Sequence, residues 1–307
     1  MFLAPADLGE AVLATGALAH VVGEGDALTI VCTPEARDIF RAAPRLAQLY
    51  AIPDGVAAWR VSMQLARTRY DIVIDARGGF LGRALPSARR IALQPAPIVR
   101  HFSETWAAAC GVERALGPKL WLDEQARSAA TSIAEDGAPL LVLAPGGAAR
   151  AKRWPAERYA AVARRLATGP LAHARIVALG VGGRDGAITR AVVSSLEADG
   201  VSAVDLGVTG DVLAAAALSE RATLCLGNDN VLTHLAAAAG APTLTLFGPT
   251  DERVRAPFGP RARTLRGRPF EDVAALSPLD ADAVMADVSI DAVEAAALDL
   301  LHAGGLR

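Results

Sequence analysis

The chain has 307 residues, 52% of them hydrophobic and 21% charged, with a formal net charge of −2 at pH 7. That length exceeds one ordinary core and suits two domains of roughly 150 residues each. The near-neutral balance argues against a general nucleic-acid binder, and no apolar run reaches the ~18 residues a membrane-spanning helix needs.

Short β-like runs alternate with helical patterns, the mark of stacked βα units and parallel sheets. The first half predicts a strand over 2–4, a helix from about 10 to 22 and a strand over 28–32. A helix over 34–42 and strands over 71–75 and 91–93 follow. The run 2–4 is short for a central strand, as a truncated first strand would be. The N-terminus has neither a charged n-region nor a long apolar h-region, so a cytoplasmic chain without a signal peptide is expected.

The polar stretch DEQARSAATSIAEDGAP, residues 123–139, reads as a helix ending in a Gly-Ala-Pro break,. It places the domain boundary after residue 135. The second half predicts strands over 140–144, 175–179, 202–205, 223–226 and 243–247. Helices over 155–167, 185–198, 211–219 and 232–239 follow the first four. Pro155 suits a first helical position, and Tyr159, Val162 and Leu166 form a core stripe. The closing segment SIDAVEAAALDLL is an amphipathic helix with Ile290, Val293, Ala297 and Leu300 on one face. The pattern predicts an α/β chain of two Rossmann-like, doubly wound parallel-sheet domains facing across a cleft. Ligands of such sheets bind outside the carboxyl ends of the strands.

Charge is unevenly placed. Eight arginines (60, 67, 69, 77, 83, 89, 90 and 100) stand against Asp71 and Asp75 between residues 60 and 100. Six more fill 253–268 without an acid, and 271–299 holds eight acids and no base. Solvated faces are the usual explanation of such runs; reception of an anionic acceptor is the secondary reading of the first cluster. Cys32, Cys110 and Cys225 show no CxxC pair and read as free thiols of a reducing compartment,.

Three loops at strand ends in the second half carry candidate chemistry. Gly146 and Gly147 lead to Lys152 and Arg153 just before a helix, an anion-site arrangement that a glycine turn with a solvated basic pair would also produce. Lys152 and Lys119 are the only lysines among 31 basic residues. Asn228, Asp229 and Asn230 open the 232–239 helix, with His234 in its first turns; they read as caps or as a helix start facing a charged ligand. GVGGRDG, residues 180–186, is spaced G-x-G-G-x-x-G and does not open the first βα unit. An NAD site and a tight turn with a ribose contact from Asp185 are both open readings there. In the first half, Gly9 and Glu10 follow the first strand, where a carboxylate serves as general base or as a helix-dipole partner. Arg77 and the Gly78-Gly79 pair end another strand. HExxH, paired His/Cys spacing, GxSxG and the P-loop are absent, so no metal and no cofactor is expected.

The segments LGEAVLATGALAHV, YDIVIDARG, PGGAARAKRWPAERYAAVARRL and DLGVTGDVLAAAALSERATLCLGNDN, with THLAAAAGAPTLTLFGPTD, occur in this order. Together they resemble glycosyltransferase family 9, the ADP-heptose:lipopolysaccharide heptosyltransferases, over nearly the whole chain. The resemblance implies a GT-B fold: an acceptor-binding domain over 1–135, a nucleotide-sugar-binding domain over 136–288, and a closing helix over 289–307 packing back towards the first. It implies inverting, metal-independent transfer of a heptose-like sugar from an ADP-sugar to an anionic glycan or lipid-linked saccharide, such as a lipopolysaccharide core. Glu10 would be the base and Lys152 would neutralise the leaving diphosphate. Gly146, Gly147, Arg153, Asp185, Asp229, Asn230, Val231, Leu232, Thr233 and His234 would hold the donor. Gly9, Arg77, Arg83, Arg89 and Arg90 would meet the acceptor. A cytoplasmic protein in peripheral contact with the inner membrane face follows from that acceptor class, with no nucleic-acid partner.

The chain departs from the family's usual pattern at three places: Gly9-Glu10 replaces Gly-Asp, Asn230-Val231 replaces a small pair such as Ser-Gly, and Ala148-Ala149 stand where a small hydroxyl residue is common. A nucleotide-sugar-binding protein without transfer and a GT-B-like epimerase or hydrolase are the alternative readings.

Overall fold

Runs such as LLVLA at Leu140–Ala144, buried at every position, suit strands covered on both faces, as parallel sheets require. A computed structural model describes residues 1–53, 56–78, 80–93, 98–134, 137–183, 185–277, 280 and 283–304. The chain divides into two units, Met1–Trp121 and Leu122–Arg307, each built on one sheet whose described pairings are all parallel.

The first unit runs β1 (Phe2–Leu3), α1 (Leu8–Val21), β2 (Leu28–Cys32), α2 (Arg37–Phe40), β3 (Leu46–Ala51), α3 (Val56–Leu65), β4 (Tyr70–Asp75), α4 (Phe80–Ala84), β5 (Ser87–Ala92) and α5 (Phe102–Cys110). Strand order is β3-β2-β1-β4-β5. The two-residue β1 is central, with Phe2 and Leu3 in register with Ile30 and Val31 on one side and Ile74 and Asp75 on the other. Helix α1 is apolar nearly all round because it is covered on several sides. A Cβ on Gly16 would stand 2.5 Å from the Leu116 carbonyl oxygen, and Thr15 Oγ1 accepts the Lys119 amide at 2.9 Å.

The second unit runs α6 (Glu124–Ile133), β6 (Leu140–Ala144), α7 (Ala156–Ala167), β7 (Arg175–Gly180), α8 (Asp185–Ala198), β8 (Ala203–Val208), α9 (Val212–Glu220), β9 (Leu224–Asn228), α10 (Val231–Ala238), β10 (Thr243–Phe247), α11 (Glu252–Arg255), β11 (Ala262–Arg266), α12 (Phe270–Ala274) and α13 (Ile290–Ala303). Its order is β11-β10-β9-β6-β7-β8. Tyr159, Val162 and Leu166 of α7 are fully buried, as their helical spacing predicts,. Helix α13 joins the same core through Val293, Ala297, Leu300 and Leu301. Arg165 of α7 clasps it from outside, reaching Asp291 at 2.8 Å and Glu294 at 2.6 Å.

Residues 135 and 136, on either side of the expected boundary, lie outside the described residues. The described division falls earlier, at 121/122, because α6 packs on α9 and Arg127 pairs with Glu220 at 2.7 Å. Seven elements escaped the sequence reading: β3, α3, α4, α5, α11, β11 and α12. Strands β3 and β11 are sheet edges, half exposed along their length, so neither shows a continuous apolar run. Strand β5 is longer than expected for the same reason, its Arg89 and Arg90 lying open to solvent.

Cys32 and Cys225 are buried and Cys110 is half-buried, all as free thiols. Burial pushes the Cys32 thiol up to about 12 against the opposing charges of Arg77 and Arg37. Burial alone does the same to Cys225.

Candidate active site

Each sheet reverses its winding beside its first strand, between β1 and β4 and between β6 and β9. The loops leaving these strands therefore diverge and open a crevice at the carboxyl ends. In the second unit, those loops are the segment 145–155 after β6 and residues 229–230 after β9.

The β6 loop is shaped by close packing. A Cβ on Gly146 would stand 2.2 Å from Asp185 Oδ2, and one on Gly180 would stand 2.4 Å from Asp185 Cβ. The two glycines let the first residue of α8 slide under the loop. Asp185 accepts the amides of Gly147 at 3.2 Å and Val181 at 3.0 Å. Arg153 donates from Nε and Nη2 to the Gly147 carbonyl at 2.9 and 2.8 Å, and from Nη2 to Asp185 at 3.3 Å. Arg153 and Asp185, read from sequence as donor ligands, are thus engaged in holding the Pro-Gly-Gly turn.

A 3₁₀ turn over Arg150–Lys152 then presents Lys152, whose Nζ donates to Asp229 Oδ2 at 2.6 Å. The His234 Nε2 lies 3.8 Å from Oδ1 of the same carboxylate. Asp229 and His234 are buried, while the Lys152 side chain keeps 26% of its exposure. Burial by itself raises the pKa of Asp229. The imidazole of His234 and the charge of Lys152 overcome it and hold the carboxyl well below the usual carboxylate range,. The Nδ1 of His234 is buried with no hydrogen-bond partner among the described residues.

Two asparagines lock this loop pair together. Asn228, fully buried at the end of β9, donates to the carbonyls of Pro145 at 2.7 Å and Gly146 at 3.2 Å. Its Oδ1 accepts the Trp154 amide at 3.2 Å and the Tyr159 hydroxyl at 2.8 Å. All four of its hydrogen-bonding positions are filled. Asn230 caps α10, accepting the amides of Leu232 at 2.9 Å and Thr233 at 3.4 Å. It also donates to the carbonyls of Ala144 and Gly146, each at 3.0 Å. The amides of Leu232 and Thr233, expected to face the donor, are occupied by the chain's own side chain. Val231, next to Asn230, is buried. Sequence reasoning grouped Asn228 with the caps; its role depends on carbonyls 83 and 82 residues away.

In the first unit Asp7 caps α1, accepting the Glu10 amide at 3.0 Å. Gly9 is buried and Glu10 half-buried in the opening turn, just beyond β1. Asp75, which the sequence reading did not single out, ends β4 beside Leu3 and is buried. It accepts the Gly78 amide at 2.8 Å. Arg77 follows on the same rim; Gly79 lies outside the described residues. Arg83 follows Gly82, which packs against the Asp75 carboxylate, whereas Arg89 and Arg90 sit within β5, in register with Ile72 and Val73, short of this rim. Arg83 is exposed on α4, and Arg89 and Arg90 are neighbours within β5 that face opposite sides of the sheet,. Arg90 folds back onto the Leu85 carbonyl at 2.7 Å.

Known proteins share this architecture. The profile of glycosyltransferase family 9 (heptosyltransferase) matches residues 82–277. The E. coli ADP-heptose lps heptosyltransferase II superposes with a TM-score of 0.78 at 17% identity, covering 99% of this chain and 98% of that one. A family 9 glycosyl transferase from Veillonella parvula gives 0.80 at 19% identity, covering 98% and 96%. The E. coli heptosyltransferase WaaC, solved with ADP, gives 0.67 at 19%, covering 92% and 96%. No curated protein matches the chain.

Proposed function

The chain belongs to glycosyltransferase family 9, and on that footing we propose that it moves a heptose-like sugar from an ADP-sugar to an anionic glycan or lipid-linked acceptor. It is a glycosyltransferase with the GT-B fold of the heptosyltransferases. The ADP held by the WaaC relative favours an adenosine-diphosphate-linked donor. The observation that carries the reading is Lys152, a half-exposed ammonium beside the reversal point of the second sheet. A departing sugar diphosphate needs charge neutralisation where its negative charge develops. Lys152 offers that charge from the protein itself, which supports a metal-independent reaction. Glu10, at the carboxyl end of β1, is the base that takes the acceptor hydroxyl proton. Attack on the face opposite the diphosphate inverts the anomeric centre.

One observation favours a second reading, nucleotide-sugar binding without transfer: Asn230 occupies two of the helix-start amides. Incubation with ADP-heptose and a truncated lipopolysaccharide separates the two. Transfer by the parent, lost in Glu10→Gln and Lys152→Ala, is the expected result. Donor binding without turnover, indifferent to Glu10→Gln, would sink the transferase reading.

A further inference from the structure

Helix α3 has a face that neither the core nor the proposed site uses. Its inner side, Val61 and Leu65, packs with Leu81 of α4 and Leu85 just beyond it in one cluster. Its outer side presents Trp59, 64% exposed, and Met63, 51% exposed; four residues apart, they share one stripe. Arg60 flanks that stripe. Arg67 follows Met63 at the same spacing, in the hydrogen-bonded turn that extends the helix. Arg60, Arg67, Arg69 and Arg83 of α4 are exposed and have no ion-pair partner among the described residues. Residues 56–70 and 76–93, which include both helices, contain no acid.

An exposed indole and thioether beside unpaired guanidinium groups match the boundary between lipid headgroups and acyl chains. Aromatic and thioether groups settle at the acyl edge while the cations meet lipid phosphates. We propose that the α3–α4 face docks the first unit on an anionic bilayer. The proposal deepens the lipid-linked acceptor reading and rests on it for its purpose, but its measurement needs neither acceptor nor donor. A second copy of the chain, offering its acid-rich 271–299 segment, is the competing occupant.

The full-length protein is co-sedimented with vesicles containing phosphatidylglycerol and with vesicles of phosphatidylcholine alone, at low and high salt. Binding to the anionic vesicles, weakened by salt, is expected; the Arg60→Glu/Arg67→Glu pair should weaken it at least roughly tenfold. Trp106 and Trp154 are fully buried, so a vesicle-induced blue shift comes from the other indoles and should shrink in Trp59→Ala and Met63→Ser. These variants should keep the parental unfolding midpoint and transfer to a lipid-free acceptor. Equal binding to neutral vesicles, no binding by the parent or unchanged binding in the variants would overturn the proposal. So would a vesicle-independent dimer that the same variants dissociate. Vesicle binding without sugar transfer would instead overturn the transferase reading and leave this face standing.

Discussion

The Lys152 ammonium meets Asp229 Oδ2 end-on at 2.6 Å, beside the strand pair where the second sheet reverses its winding. An ammonium engaged by one oxygen keeps two N–H directions for a ligand. A guanidinium tends to grip both oxygens of a carboxylate as a fork. Lys152→Arg should therefore leave stability within about 1 kcal/mol of the parent while lowering kcat by roughly 100-fold. Steady-state transfer assays beside urea unfolding measure both, and a parental kcat in the arginine variant would remove Lys152 from the leaving-group role.

The depressed pKa of Asp229 makes a prediction with a definite sign. Its unfolded value is near 3.8, so the stability gained from the folded carboxylate is complete above that pH. It is lost as pH falls through the lower folded value. Asp229→Asn should be less stable than the parent at neutral pH, and the gap should narrow below about pH 4. Unfolding curves of both proteins across that range test this; a gap that widens on acidification contradicts it.

Asn228 and Asn230 should differ in cost. Asn228→Ala deprives the buried Tyr159 hydroxyl and Trp154 amide of their acceptor and frees two loop carbonyls. A loss of about 3 kcal/mol is expected. Asn230→Ala removes a helix cap and two loop bonds at a partly buried position, for about 1–2 kcal/mol. Denaturant midpoints decide the order. Should Asn230→Ala also tighten ADP binding, the freed amides of α10 accept the diphosphate.

Gly146→Ala pushes a methyl against the Asp185 carboxylate. Either the loop or α8 must shift, at about 1–3 kcal/mol. Because Asp185 and Arg153 hold the loop that carries Lys152, donor KM should rise more than acceptor KM. Equal rises would separate the turn from the donor.

The central strands could be read from sequence because burial on both faces leaves no polar interruption: 140–144 and 243–247 are strands to the residue. Edge strands obey no such rule, so LAQLYA of β3 and ARTLR of β11 passed unnoticed. Lys152 and Asp229 were legible because a glycine turn and a helix start announce themselves locally. Their pairing across 77 residues was not. Nor was the partnership of Arg153 with Asp185, which holds the loop that carries Lys152. Arg89 and Arg90, adjacent in sequence, face opposite sides of β5,, which no local pattern announced.

The two core thiols have a practical consequence. Cys32 belongs to β2 of the first unit and Cys225 to β9 of the second, and neither forms the reactive thiolate while its unit stays closed,. Alkylation of native protein should begin at the half-buried Cys110. Peptide mapping of the slower labelling at Cys32 and Cys225 then reads the opening equilibrium of each unit separately. Cooperative unfolding of the whole chain would give both cysteines one rate; units that breathe alone would give two, and a nucleotide-sugar should slow only the one that holds it.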